Sequence, residues 1–184
     1  MRRRFGMNAQ QWTLIAINVV GGVLVLGSYV QGLMAHPDNR NALWGNVPAS
    51  VQPLYTVGMI SAALGYFAFT YFVLFRIDAA EVRVADRFGF WIFYVIYLLI
   101  LLPSALWMPL TYAATENHST GLYWAIRIVL AVVGLGSLAL LATLLSLRTG
   151  GSSYAYWMAV AGSAAFCLQT AVLDALVWPA FFKV

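Results

Sequence analysis

Charged side chains are scarce in this chain, which has only ten basic and six acidic residues among 184. They make up 9% of the sequence, whereas charged residues make up about a quarter of a typical soluble domain. This scarcity excludes an ordinary water-soluble domain. Cysteine is scarcer still, because Cys167 is the single one. A scaffold held together by intramolecular disulfides is therefore excluded as well.

The sequence also lacks the motifs of common soluble enzymes. It contains no HExxH zinc motif and no Gly-rich phosphate-binding loop. We therefore predict no metal site, no catalytic residues and no obligatory cofactor. The basic residues are spread along the chain at the ends of apolar segments, so nucleic-acid binding is not expected despite the net charge of +4.

Long apolar runs, by contrast, fill almost the whole chain. Hydrophobic residues make up 62% of the sequence, and its mean hydropathy is +0.82. A membrane-spanning helix needs about 20 predominantly apolar residues. Five stretches meet this length, at about 12–34, 52–75, 89–113, 121–147 and 154–181. The sequence therefore predicts a single all-α membrane domain over residues 1–184, built as a bundle of five transmembrane helices in the lipid bilayer.

The positions of the basic residues predict the orientation of this bundle, because cytoplasmic segments collect Lys and Arg. One side of the bundle receives Arg2, Arg3, Arg4, Arg76, Arg83, Arg87 and Arg148. The other side receives only Arg40 and Lys183. We therefore expect a cytoplasmic N-terminus and a C-terminus outside.

Two connectors have a distinct composition. Residues 35–50 are rich in Pro, Asn and Gly and carry Trp44, which predicts a loop that folds over the outer end of the bundle. Residues 76–87 alternate small, apolar and charged side chains, with Arg83 and Asp86 three positions apart. This spacing predicts a helical turn at the membrane interface.

Two ionisable residues, Arg127 and Asp174, lie inside predicted spans. A charged side chain in hydrocarbon costs roughly 2.5–3.5 kcal/mol unless it is paired or hydrated. Both residues lie at a similar distance from the outer ends of their spans, which gives them the same depth. We therefore predict a salt bridge or a water-linked pair between them, which either fixes the packing of the last two spans or lines a polar corner of a cavity.

Three segments carry motifs that can be compared with a known family. The first has Trp44, Pro48, Val51, Pro53 and Leu54, followed by SAALGY at 61–66. The second is LWMPL at 106–110, and the third is LDALVW at 173–178. These segments resemble the translocator protein / tryptophan-rich sensory protein family. The sequence departs from the family pattern at Ser104 and Asp174, where Asn is usual. In addition, the aromatic residue that the family has after the Pro53 motif is displaced to Tyr55.

The resemblance implies a five-helix bundle, often a homodimer, with a pocket beneath the first loop for porphyrins, sterol-like molecules or other flat hydrophobic ligands. It places Trp44, Tyr55, Trp107, Pro109 and Asp174 at or near this pocket. Family members have been assigned roles in transport, sensing and porphyrin turnover. The function that we expect is therefore binding of a flat hydrophobic small molecule for transport or sensing.

A porphyrin ligand would need a partner for its carboxylates and, as a haem, an axial ligand for its iron. Arg127 is the candidate carboxylate partner, because a guanidinium binds a carboxylate through two hydrogen bonds. The two histidines, His36 and His118, lie in predicted outer connectors. Solvated loop histidines are common, so we do not expect either to bind iron.

Two other function classes stay open. A structural or assembly subunit of a larger complex is favoured by small-residue faces such as Gly58/Ala62 and Ala171/Ala175, which permit close helix contact. A membrane isomerase acting on a lipid or sterol would need general acid and base groups near the outer surface. The candidates are Tyr112, Glu116, His118 and Asp174. No catalytic motif brings these groups together, so a binding protein is the expectation.

Overall fold

The computed structural model of the chain describes residues 7–147 and 153–182. Its first four long helices are α1 (Ala9–Ala35), α2 (Gln52–Phe75), α3 (Trp91–Asn117) and α4 (Thr120–Ser146). The last span, Tyr154–Phe181, consists of α5 (Tyr154–Cys167), a π-helix (Leu168–Val177) and the short α6 (Trp178–Phe181). Within the described residues, five spans are long and apolar enough to cross a membrane. The predicted all-α, five-span bundle is confirmed, and the chain is a multi-pass membrane protein.

Polar side chains set several helix ends. At the start of α1, the Asn8 and Gln11 side chains each accept a 2.9 Å hydrogen bond from the other residue's backbone N–H. Ser119 and Ser153 accept hydrogen bonds from backbone N–H groups in the first turns of α4 and α5. α3 ends at His118, whose φ of +46° lies in the left-handed region and stops the helix.

The spans form a ring in which α1 packs on α3, α3 on α4, α4 on the last span and α5 on α2. α1 and α2 make few contacts with each other. α2 and α5 approach each other closely, since a Cβ added at Gly162 would lie 2.8 Å from the Cα of Gly65. Such backbone contact through small residues is typical of helix pairs in membranes. The ring is therefore tight everywhere except between α1 and α2.

Buried apolar side chains form two clusters at different heights in the bundle. The larger includes Phe69, Tyr97 and Leu140 and extends into the connector between α2 and α3. The smaller includes Tyr55 and Trp178 and lies at the end where α1 meets the first connector. The two clusters leave the middle of the bundle, on the side of α1 and α2, without a packed core.

The first connector covers one end of the bundle, as predicted. We call residues 36–51 the cap; they include the 3₁₀-helix Pro37–Trp44. The indole Nε1 of Trp178 donates a 2.9 Å hydrogen bond to the carbonyl of Leu43, and the backbone N–H of Asn46 donates to the carbonyl of Phe181 at 3.1 Å. Gly45 has φ +56° and lies directly against Phe182. The cap is thereby joined to the end of the last span.

The connector between α2 and α3 is not the helical turn predicted from its charge spacing. Val84 and Phe88 exchange backbone hydrogen bonds across a tight turn, in which Ala85 and Asp86 have positive φ. The apolar side chains of Ile77, Ala79 and Val84 are buried against the bundle. The alternating pattern therefore reflects a compact loop with one buried side, and positive φ angles are incompatible with a right-handed helix.

The structure describes only part of the basic pattern that predicts orientation. Arg2, Arg3, Arg4, Arg148 and Lys183 lie outside the described residues. Arg76, Arg83 and Arg87 are exposed at the end with the α2–α3 connector, and Arg40 is exposed in the cap at the opposite end. Which end faces the cytoplasm stays a prediction.

Candidate functional site

A cavity of about 640 Å³ occupies the loosely packed middle of the bundle, and residues of every span line it. This volume falls within the range of roughly 300–1,000 Å³ that is typical of small-molecule sites. Val19 and Leu26 of α1 and Phe67 of α2 line the cavity and are also 59%, 67% and 72% exposed. The cavity therefore opens between α1 and α2, on the surface that faces lipid.

Glycines in α1 explain why this helix stays away from α2. A Cβ added at Gly21 would lie 2.7 Å from Leu101 Cδ1, and one at Gly32 would lie 2.6 Å from Met108 Sδ. These glycines let α1 approach α3 closely. On the neighbouring side of α1, a Cβ at Gly22 would meet nothing within 4 Å, and Ala63 is a small residue on the facing side of α2. Tight packing on α3 and small side chains towards α2 together leave the cavity open.

Aromatic side chains form one wall of the cavity. The rings of Tyr29 and Trp107 meet edge to face, with centroids 5.8 Å apart. Trp107 also meets Trp178 edge to face at 6.1 Å. Side chains from α1, α3 and α6 thus build a single aromatic surface, of the kind that packs against a flat apolar molecule.

The acidic group of the cavity is Asp174, which lies on the π-helix of the last span. Its Oδ1 accepts a 2.8 Å hydrogen bond from the amide Nε2 of Gln169, five residues earlier. In an α-helix, residues five apart point in directions about 140° apart. A π-helix closes its hydrogen bonds between residues five apart, which brings these two side chains to the same side. The local helix type thus creates the pair.

Most other polar groups on the cavity wall are already paired within the protein. The hydroxyl of Tyr66 donates to Asn18 Oδ1 at 2.6 Å, which joins α2 to α1. The hydroxyls of Ser104 and Thr170 donate to carbonyls of their own helices. Four polar atoms of the lining residues have no hydrogen-bond partner among the described residues: Oδ2 of Asp174, the hydroxyl of Tyr29, and the buried Nε1 of Trp107 and Oε1 of Gln169. These four atoms are the unpaired polar groups around the cavity.

The structure brings two of the six predicted ligand-binding residues, Trp107 and Asp174, onto the same cavity. Tyr55 lies at the cap end instead, where its hydroxyl donates to the carbonyl of Leu173 at 3.0 Å. Trp44 packs against Tyr55, with ring centroids 6.2 Å apart. Pro109 is exposed and does not line the cavity. Trp44 and Tyr55 therefore belong to the covering of the bundle end rather than to the cavity wall.

The predicted salt bridge between Arg127 and Asp174 is wrong. The Arg127 guanidinium and the Asp174 carboxylate do not form an ion pair within 4.0 Å, whereas His36 Nε2 and Glu116 Oε1 lie 2.9 Å apart. The guanidinium of Arg127 donates to the hydroxyl of Tyr123 at 2.8 Å and lies over the rings of Tyr123 and Trp124. Side chains on a helix point towards its N-terminus, so a long Arg on α4 reaches one turn closer to the membrane surface. Asp174 at the same predicted depth binds Gln169 instead.

The groups considered for acid–base chemistry or iron binding lie elsewhere. The ring of His36 stacks on Tyr112 at 3.9 Å, its Nε2 lies 2.9 Å from Glu116 Oε1, and its Nδ1 lies 2.9 Å from the carbonyl oxygen of Gly32. Both ring nitrogens thus lie within hydrogen-bond distance of oxygen atoms, one on α1 and one on α3. His36, Tyr112 and Glu116 therefore tie the cap to α3. Within the described ranges, no cluster of three or more His, Cys, Asp or Glu side chains is arranged to hold a metal ion.

Sequence reasoning missed several polar residues of the site, among them Asn18, Tyr29 and Gln169. Asn18 and Gln169 had a usable signal, because amides inside apolar spans are rare and usually face the protein interior. Tyr29 had none, because a tyrosine near the end of a span is typical of the membrane interface.

The fold and the cavity define a class of protein: a polytopic helical membrane protein with a central apolar cavity that is open to lipid. Comparisons with protein-family models, with curated proteins and with solved structures returned no match. The resemblance described above therefore depends on the sequence motifs alone.

Proposed function

We propose that this protein binds a flat hydrophobic small molecule, sterol-like or porphyrin-like, inside the bundle and that it does so for transport or sensing. The observation that carries the proposal is the cavity of about 640 Å³ with its aromatic wall. A buried apolar ligand gains roughly 25 cal/mol for each Å² of apolar surface that it removes from water, and aromatic walls add packing for flat rings.

The opening between α1 and α2 supports the same function. A ligand that dissolves in the bilayer can reach the cavity sideways, without passing through the aqueous phase. The cap closes the adjacent end of the bundle through its hydrogen bonds to Trp178 and Phe181.

The proposal includes membership of the translocator protein / tryptophan-rich sensory protein family, assembly as a homodimer and a cytoplasmic N-terminus. Trp107 and Asp174 support the family assignment, because motif residues from two distant spans line the same cavity.

The small-residue faces that favoured an assembly subunit are used inside the chain. Gly58 lies against Gln169 and Leu173, and Gly134 lies against Ala171. These contacts hold α2 and α4 to the last span. The faces therefore provide no argument for a docking partner, and ligand binding is the function that the geometry supports best.

Quenching of Trp fluorescence by protoporphyrin IX in detergent-solubilised protein tests the proposal. We expect saturable quenching, because Trp107 and Trp178 are on the cavity wall. Trp107→Phe is expected to reduce the saturable part. Trp124→Phe is the matched control, because Trp124 is 56% exposed and does not line the cavity. Quenching that rises linearly and responds equally to both substitutions would contradict the proposal for porphyrins, and competition with cholesterol then tests the sterol-like class.

A further inference from the structure

We propose that the ligand carries a protonated amine, which the carboxylate of Asp174 binds at the polar end of the cavity. This inference rests on the proposed function and names the chemical class of its ligand. The observation behind it is the charge of the cavity wall. Among the described lining residues, Asp174 is the only Asp, Glu, Lys, Arg or His.

The position of Arg127 decides the sign of the charge that the cavity offers. A porphyrin propionate or another carboxylate needs a cation on the wall. Arg127 is the only basic residue in a described span, and its guanidinium is held by Tyr123 and Trp124, outside the cavity lining. A ligand carboxylate at that end of the cavity would meet Asp174 with no basic side chain on the described wall to balance the two negative charges, so a porphyrin would bind through its ring with its propionates directed away from Asp174. A ligand cation would neutralise Asp174.

The hydrogen bonds of Asp174 leave one oxygen for the ligand. Oδ1 accepts from Gln169, while Oδ2 has no partner among the described residues. Gln169 is only 4% exposed, and its hydrogen bond fixes the orientation of the Asp174 carboxylate. An N–H group of an ammonium donates to a carboxylate more strongly than a neutral hydroxyl does, because the hydrogen bond is then charged on both sides.

The aromatic wall supports a cation at the same place. Tyr29 lines the same cavity as Asp174, and its ring meets Trp107 edge to face. The face of a Trp or Tyr ring attracts an ammonium group, and the attraction grows when water is excluded. The aromatic surface can therefore hold both the amine and the flat ring system attached to it.

Three probes that share one flat ring system test this inference: 1-pyrenemethylamine, 1-pyrenemethanol and 1-pyreneacetic acid. Energy transfer from Trp to pyrene reports binding to the purified protein in an uncharged detergent. We expect the amine to bind about tenfold more tightly than the alcohol, a difference of about 1.4 kcal/mol, and the acid to bind most weakly. Equal affinities for the amine and the alcohol, or tightest binding of either the alcohol or the acid, would overturn the inference.

Two substitutions test whether Asp174 is the source of the preference for the amine. Asp174→Asn is expected to abolish the preference for the amine over the alcohol and to lower the affinity for the amine itself. Asp38→Asn removes an equal charge from the exposed cap and is expected to change neither. An amine preference that survives Asp174→Asn would overturn the assignment to this residue. The probe series on the unaltered protein decides the ligand charge even where the variant does not fold.

The same experiment separates the inference from the proposed function. Saturable binding of the probes without a preference for the amine contradicts the inference and keeps a hydrophobic binding site. Failure of all three probes to bind saturably contradicts the proposed function itself.

Discussion

The amide of Gln169 donates a 2.8 Å hydrogen bond to the carboxylate of Asp174, and the two residues are five positions apart on one π-helix. π-Helical segments are rare and are found mostly at functional sites. Here the π-helix turns both side chains towards the interior of the bundle, where an isolated carboxylate in an apolar environment would be costly. The hydrogen bond therefore links a local change of helix type to the only acidic group on the described cavity wall.

Replacement of Gln169 by Leu is expected to destabilise the protein, because it leaves the Asp174 carboxylate without its donor. A hydrogen bond to a charged group contributes about 1.5–3 kcal/mol to stability. Thermal unfolding in detergent measures the loss. Gln31→Leu is the matched control, because Gln31 is exposed on α1. Equal unfolding temperatures for the two variants would show that the pair contributes nothing to stability.

Replacement of Gly162 by Ala is expected to weaken the contact between α2 and α5. The added Cβ would lie 2.8 Å from Gly65 Cα, and backbone atoms cannot move aside as a flexible side chain can. Overpacking of this kind costs about 1–3 kcal/mol. Thermal unfolding again provides the measurement, with Gly27→Ala as the control, since a Cβ there meets nothing within 4 Å. A wild-type unfolding temperature for Gly162→Ala would show that the two helices are not in backbone contact.

Replacement of Gly45 by Ala is expected to loosen the cap. Gly45 has φ +56° and ψ −128°, a combination that residues with a Cβ avoid, and an added Cβ would lie 3.2 Å from Phe182 Cα. Strain of this kind costs about 1–3 kcal/mol. Hydrogen exchange of residues 36–51 is expected to become faster. Gly121→Ala, whose added Cβ would make an ordinary contact 3.6 Å from Ser119 Oγ at the start of α4, is expected to leave this exchange unchanged. Slow exchange in both variants would contradict the described conformation of the cap.

Replacement of Arg127 by Gln is expected to reduce stability without changing ligand affinity. The variant loses the hydrogen bond to Tyr123 and a cation–π contact, and such contacts contribute about 0.5–2 kcal/mol. Binding of 1-pyrenemethanol, measured by energy transfer, reports on the cavity. A large loss of affinity in the folded variant would place the guanidinium in the cavity and restore the role expected from the sequence.

Much of the fold is predictable from hydropathy, because the bilayer dictates the length of each span. The spans expected at 52–75 and 154–181 have the bounds observed in the structure. α1 begins earlier than expected, at Ala9, because its first turn is polar and depends on the Asn8 cap rather than on hydrophobicity. α3 likewise runs on through the polar residues up to Asn117.

The site is less predictable, because it depends on details of packing. The membrane depth of Arg127 and Asp174 suggests a pair, yet depth says nothing about which way a long side chain bends. Gln169 and Asp174 face the same side only because they lie on a π-helix, and α-helical periodicity does not reveal this. The cavity itself follows from α1 packing on α3 through Gly21 and Gly32, and these glycines do not differ in the sequence from Gly22, which faces open space.

The central claim is that the cavity between α1 and α2 is the binding site, and filling it tests this claim most directly. Gly22→Phe places a ring in the open space of the cavity, whereas Gly27→Phe places the same ring on the lipid-facing surface of the same helix. The measurement is the affinity of 1-pyrenemethanol by energy transfer from Trp. We predict a loss of about tenfold or more for Gly22→Phe, a difference of at least about 1.4 kcal/mol, and wild-type affinity for Gly27→Phe. Wild-type affinity in both folded variants would contradict the claim.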